Sequence, residues 1–200
     1  MSRSHEFLRS AGPGNVVLVT QKSFIHDLVC GGQASITPDG KPSKWGHTFL
    51  VGRPREDGRT RLYESDICFS RGGLKNGAQQ ATLTKYGKDR KNRRICILDF
   101  HLAEAEVDAV LAEAQRQISL GVQYPVLELV GTLWAYVTKT FRKPNPLDLK
   151  RASYCSAFVN DCFAKVEAIV PEEVAHRTNV SPEHIYRSEV RDPERRELAL

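Results

Sequence analysis

The residues best suited to chemistry in this 200-residue sequence are Cys155, His47 and Glu64. Cys155 stands in Tyr154-Cys-Ser-Ala-Phe-Val159, where a 3.6-residue period opens. On a helix starting there, Phe158, Val159, Cys162 and Val166 continue one inward face with the thiol. A first-turn cysteine feels the positive end of the helix dipole, which favours thiolate over thiol. The free amides of that turn can also hold an oxyanion. A thiolate that attacks a carbonyl needs a base. His47 lies in Trp45-Gly-His-Thr-Phe-Leu-Val51, a predicted strand, on the side of Phe49 and Val51. His5, His26, His101, His176 and His184 sit at the terminus, on a short helix, at a strand end or in polar sequence, and suit the role less well. The base in turn needs an acceptor that orients it. A hairpin register that sets residue 64 opposite residue 47 gives Glu64 that role, with Cβ atoms about 5 Å apart. Asp66, two residues on and on the same face, is the fallback.

Each residue taken alone has a plainer reading: a buried structural cysteine, a satisfied core histidine, an exposed strand glutamate. The elements that would position them favour the joint one. Gly12-Pro-Gly14 is a turn signal, and Asn15-Val-Val-Leu-Val19 reads as a buried strand. Residues 21–30 form a short helix with Phe24, Ile25 and Leu28 on one side, and 31–44 a loop. Strands over 45–51 and within 59–69 flank a Gly/Pro/Asp turn and make an antiparallel hairpin. Gly72–Arg94 is polar and reads as loop. Residues 95–100 are another strand. The period then becomes helical over 104–119, with Gly121 as its stop. Residues 125–138 are a second helical segment. Residues 154–169 are a third, with Ser153 placed to cap it. A turn at Ser181-Pro182 and a loose charged tail after Asp192 follow. The pattern predicts one α+β domain with a small antiparallel sheet packed against helices.

Composition bounds the rest. The chain is 40% hydrophobic and 26% charged with a net charge of +5, which excludes collagen, coiled coil and wholesale disorder. Its longest apolar stretch, residues 126–137, is too short for a membrane span. The first ten residues have no apolar signal region, which predicts a chain cytoplasmic at synthesis. Five cysteines without close spacing predict neither a disulfide framework nor a metal site, and Cys30, Cys68 and Cys96 read as buried hydrophobes. The run Lys85–Arg94 carries six basic residues and one acid, and could meet an anionic polymer or simply be a solvated loop.

Cys155-Ser-x-Phe-Val159 resembles the nucleophile motif of NlpC-type papain-like cysteine peptidases. There the cysteine helix ordinarily precedes the histidine strand. The reversed order here resembles the circularly permuted branch, which includes YiiX-like hydrolases and relatives of lecithin:retinol acyltransferase. Asn15-Val-Val-Leu-Val19 is similar to that branch's opening strand, with Asn15 where aspartate is usual. Trp45-Gly-His47, Leu62-Tyr-Glu64, Gly121-Val-Gln-Tyr124 and Ser181-Pro182 follow in matching order. The resemblance covers about residues 14–188, which would be the core of the domain, and implies a permuted papain-like fold. Cys155 would be the nucleophile, His47 the general base and then acid, and Glu64 its orienting residue. Tyr154, with Ser156 beside the nucleophile, would line the oxyanion and substrate site. No cofactor is implied.

The implied activity is hydrolysis of an amide, read as a peptide bond in peptidoglycan-like material. The same branch contains lipid acyl hydrolases and acyltransferases. With no secretion signal, a wall-directed enzyme needs a dedicated export route, and an antibacterial effector with an immunity or delivery protein as partner fits that context. The competing reading is a non-enzymatic module that uses the basic run on nucleic acid or another phosphate polymer. It leaves Cys155, His47 and Glu64 without a joint explanation, so nucleic acid is not the expected partner.

Overall fold

Asn15-Val-Val-Leu-Val19 has no polar side, so a strand made of it must be covered on both faces. In the computed structural model, which describes residues 2–70, 73–122, 134–136, 138–144, 154–167, 169–171 and 173–200, it is covered in that way. Among the described residues the strands are β1 (Val16–Gln21), β2 (His47–Pro54), β3 (Thr60–Ser70), β4 (Gly73–Thr82), β5 (Asn92–Asp99) and β6 (Glu194–Ala199). They form one sheet in the order β4-β3-β2-β1-β5-β6. Every pairing is antiparallel. Among the described residues, the helices of five or more residues are α1 (Arg3–Leu8), α2 (Phe24–Gly32), α3 (Glu104–Ser119), α4 (Cys155–Phe163) and α5 (Pro182–Tyr186). The chain is therefore an α+β domain, as its sequence pattern predicts.

The two-residue period of the strands divides the core in two. Val16, Leu18, Leu50, Tyr63, Cys96 and Leu98 face α3 and α4, whose Val107, Val110, Leu111, Phe158, Val159 and Phe163 complete the larger cluster. Val17, Val19, Phe49, Val51, Leu62, Ile95 and Ile97 face the other way, against Leu8 of α1 and Leu83 and Tyr86 of a 3₁₀ turn. Each large apolar side chain so buried stabilises the fold by about 1.5–3 kcal/mol. Gly14 has φ +85°, and a Cβ there would lie 3.0 Å from Val107, so the turn before β1 and its approach to α3 both require glycine.

Four expectations need correction. The loop expected over 72–94 is replaced from Gly73 onward: β4 pairs with β3 from Arg61↔Thr82 to Ser70↔Gly73, and the 3₁₀ turn Leu83–Tyr86 follows. Its glycines and polar residues hide the strand because an edge strand needs only one apolar face. The tail after Asp192 is not loose, since β6 pairs with β5 from Asp99↔Glu194 to Arg94↔Ala199. The third helix stops at Phe163 rather than Ile169. Beyond it Asn160 clasps the returning chain, accepting from the Val170 amide at 2.8 Å and donating to the Val170 carbonyl at 3.3 Å. Ser181-Pro182 is the capped start of α5 rather than a simple turn. Most of the helical segment expected at 125–138, and the expected cap Ser153, lie outside the described residues.

Candidate active site

The nucleophile candidate opens its helix. Tyr154 is extended (φ −86°, ψ 174°) at the N-cap position, and Phe158 donates to the Tyr154 carbonyl at 2.9 Å, closing the first turn. Cys155 is thus the first helical residue, at the positive end of α4. It is 5% exposed, with its sulfur 3.9 Å from the Ser156 hydroxyl. Tyr154 and Ser156 are likewise buried beside it.

His47 opens β2 and is 6% exposed. Its Nε2 lies 3.1 Å from Oε2 of Glu64, which leaves Nδ1 for the thiol. Burial alone would strip the ring of its proton. The neighbouring Cys155, a hydrogen bond with its thiol and the bond to Glu64 outweigh it, and push the His47 pKa up to about 10.

Glu64 is fully buried and has more than one partner. Tyr86 donates to its Oε2 at 2.7 Å, and the Lys85 ammonium donates to its Oε1 at 2.5 Å. Lys85 also donates to Asp66 Oδ2 at 2.6 Å and lies 5.2 Å from the centre of the Tyr86 ring. Burial opposes the charge on Glu64, yet the His47 bond and Lys85 hold its pKa down at about 2. Tyr86 in turn stacks on Phe49, with ring centroids 4.7 Å apart, which ties the carboxylate's anchor to the core.

Glu64 partners His47 by a route other than the expected one. The pairs Leu50↔Tyr63 and Val51↔Leu62 set the hairpin two residues away from the predicted register. Continued down the ladder, that register puts Asp66 opposite His47 and Glu64 opposite Phe49. Glu64 reaches the imidazole on the diagonal, a span of about 7–8 Å between Cα atoms that a long side chain bridges. Asp66, the fallback, is drawn to Lys85.

Lys85 and Tyr86 were missed because they belong to the segment read as loop. The signal that could have found them is the apolar pair Leu83 and Tyr86, three residues apart within polar sequence, as a buried turn requires. His26 was passed over as a short-helix residue, yet its ring centroid lies 6.2 Å from that of His47. A Cβ on Gly46 would lie 2.5 Å from His26 Nδ1, so glycine beside His47 is what lets α2 approach. Burial, and then the charge on His47, lower the His26 pKa to about 4. Its Nδ1 accepts from the Gln21 amide at 3.1 Å. A cavity of about 560 Å³, lined among others by Ile36, Phe141, Val170, Pro171, Val174 and His184, is separate: neither Cys155 nor His47 lines it.

The site also bears on metals. His47, Glu64 and Asp66 each offer a ligand atom, all within 4.8 Å of one another. The Lys85 ammonium already stands between the two carboxylates, at 2.5 and 2.6 Å. A divalent ion would have to displace it and would meet a like charge, so these residues as arranged do not fit a metal.

No protein-family model matches the chain, and no curated protein sequence matches it. Among solved structures it is similar to a crystal structure described as the metalloprotein YiiX, DUF1105, from Escherichia coli O157:H7. The TM-score is 0.57 at 11% identity, over 92% of this chain and 96% of that one. At that identity the likeness is one of fold, and this chain shares the fold of YiiX over nearly its whole length.

Proposed function

We propose that this chain is a cysteine hydrolase that cleaves an amide through Cys155, His47 and Glu64. The observation that carries the reading is the first-turn cysteine paired with a buried imidazole whose far nitrogen is held by a buried carboxylate. The order of histidine strand, glutamate strand and nucleophile helix agrees with the permuted NlpC-type resemblance. The identity of the amide as a peptide bond in peptidoglycan-like material rests on that resemblance, as does the effector context.

In this reading the Cys155 thiolate attacks the carbonyl carbon and forms a C–S bond, while the carbonyl π electrons move to oxygen. The amides at the start of α4 stabilise that oxyanion, and Tyr154 and Ser156 line its surroundings. The C–N bond then breaks as His47 passes its proton to the leaving amine. Water, deprotonated by His47, cleaves the resulting thioester and restores the thiolate. Glu64 holds the ring in place and stabilises the imidazolium throughout. The same steps serve an acyl ester.

The test is to digest purified peptidoglycan and acyl lipids in parallel with the full chain and with Cys155→Ala. Release of amine or acid from one substrate, abolished in the variant, is expected. Turnover that survives in Cys155→Ala, or a wild-type Cys155 that reacts with a thiol probe no faster in the presence of His47 than in His47→Ala, overturns the reading.

A further inference from the structure

The apolar side of α2 faces solvent. Phe24 is 79% exposed, Ile25 62% and Leu28 47%, whereas Val29 and Cys30 on the opposite side are buried. Half of the large exposed apolar side chains among the described residues therefore belong to this nine-residue helix. The helix is not loose. Ser23 caps it, accepting from the His26 amide at 3.3 Å, and His26 fixes its inner side to the start of β2.

Cations border this face. The amide of Lys22, two residues before Phe24, donates to the Lys91 carbonyl at 2.8 Å, so the start of α2 is tied to the run Lys85–Arg94. Asp27, which flanks Phe24 on the helical wheel, is held by Arg93 through both guanidinium Nη atoms. Lys22, Lys88, Arg90, Lys91, Arg93 and Arg94 are all exposed. The two neighbouring acids are engaged: Asp27 with Arg93, and Asp89 with the amides of Arg3 and Ser4.

From this juxtaposition of an exposed apolar helix face and a fixed basic border we infer that α2 and the Lys85–Arg94 run form a docking surface for an anionic lipid bilayer. Phe24, Ile25 and Leu28 enter the boundary between headgroups and acyl chains, and the cations meet lipid phosphates. Charge complementarity selects an anionic surface. The aliphatic Ile25 and Leu28 select lipid over nucleic acid, because bases stack on aromatic faces and gain little from branched aliphatic ones. His26 lies on the inner side of the same helix and against His47, so docking sets the candidate active site one helix thickness from the bilayer. The inference goes beyond the hydrolase reading and does not depend on the chemistry at Cys155.

The experiment is co-sedimentation of the full chain with vesicles of phosphatidylcholine, alone or mixed with phosphatidylglycerol. Binding to the mixed vesicles is expected, with little to the neutral ones and steep weakening in salt. Neutralising Arg90 or Lys91 to glutamine should weaken binding about fivefold each. Phe24→Ser with Leu28→Ser should weaken it about tenfold or more, and Ile25→Ser serves where the double variant fails to keep the wild-type circular dichroism. No binding to anionic vesicles overturns the inference. So does binding that ignores the serine substitutions, which would reduce it to unspecific charge. A random single-stranded oligonucleotide that competes fully for the vesicles, and itself loses affinity in the serine variants, assigns the face to nucleic acid instead. A catalytically dead chain that still binds vesicles leaves this surface standing, and an active chain that ignores them leaves the thiol chemistry standing.

Discussion

Lys85→Met tests whether an ammonium sets the charge state of the site. The substitution keeps the length of the side chain and removes its charge, leaving Glu64 fully buried and Asp66 close by. Breaking a buried ion pair on one side typically costs about 3–5 kcal/mol. Here the loss has a ceiling, because Glu64 can take up a proton instead of staying charged. Protonation at pH 7 costs the variant about 3.4 kcal/mol relative to an ordinary value of 4.5, and it forgoes the about 3.4 kcal/mol that wild type gains by lowering that value to about 2, so the ceiling is about 7 kcal/mol, from roughly 1.4 kcal/mol per pH unit. For a chain of this length that ceiling is a fall in melting temperature of about 14–28 °C. The sign with pH is fixed. The wild-type Glu64 pKa is depressed, so its stabilisation is present above about 4.5 and is lost as pH falls towards 2. The variant's protonated Glu64 costs nothing once the unfolded chain is protonated as well. The gap between the two proteins should therefore narrow by about 3 kcal/mol as pH is lowered from 7 to about 4.5, and close only as pH falls on towards 2. Thermal unfolding followed by circular dichroism at both pH values measures it. A loss under about 1 kcal/mol at pH 7, or one that stays constant to pH 4.5, would refute the assignment of Lys85 as the counter-charge.

Glu64→Gln should keep the fold and lower turnover by up to about 10⁴-fold, as loss of an orienting carboxylate does in other triads. Asp66→Asn, measured beside it, should lose far less, and the reverse ranking would transfer the role to Asp66. Cys155→Ala should abolish turnover with little change in melting temperature, whereas Phe158→Ala, fully buried in α4, should cost about 3–5 kcal/mol; denaturant titration of the two separates chemistry from packing. Burial, helped at His26 by the charge on His47, lowers both His26 and His184 to about 4. Below pH 6.5 the unfolded chain then binds more protons than the folded one, so these two residues should drain stability between pH 6.5 and 4, by at most about 3 kcal/mol each. Folding stability of His26→Gln against pH should show a shallower acid limb, and an unchanged limb would exclude His26 from it.

What the sequence disclosed tracks how strongly each element commits its residues. The Asn15–Val19 strand, the helix from residue 104 to 119 and the first-turn position of Cys155 were legible, because an apolar run or a sustained helical period leaves one face to bury. β4 was not, because a strand at the sheet edge with glycine and glutamine tolerates a polar pattern that mimics a loop. β6 was hidden in the same way by its charges, whose pattern ERRELA suits a strand covered on one side only. The hairpin register was read two residues off, since the turn between Pro54 and Thr60 is long enough to leave it undetermined. The pairing of Glu64 with His47 survived that error because a two-residue slip keeps both side chains on one face. The exposed position of Phe24, Ile25 and Leu28 could not be read at all: periodicity shows that a helix has an apolar side and is silent on which side meets the sheet.

The charges at the candidate site alternate, from His47 to Glu64 to Lys85 to Asp66, and each buried charge has an opposite neighbour. Removing charges from water is tolerated only under that condition, which makes Lys85 the group that decides between two uses of the same donors. While the ammonium is present, a metal ion at His47, Glu64 and Asp66 meets repulsion. Once it is gone, three donors within 4.8 Å are left with a cation-sized deficit. Mn²⁺, which takes carboxylate and imidazole ligands more readily than thiolate, is the suitable probe. Saturating Mn²⁺ should leave the melting temperature of the wild-type chain unchanged and raise that of Lys85→Met. At a free concentration about 100 times the dissociation constant the gain is about 2.7 kcal/mol. A wild-type chain that Mn²⁺ stabilises, with an Asp66→Asn variant that it does not, would show that the ion displaces the ammonium and would turn the cluster from a proton-holding network into a metal centre.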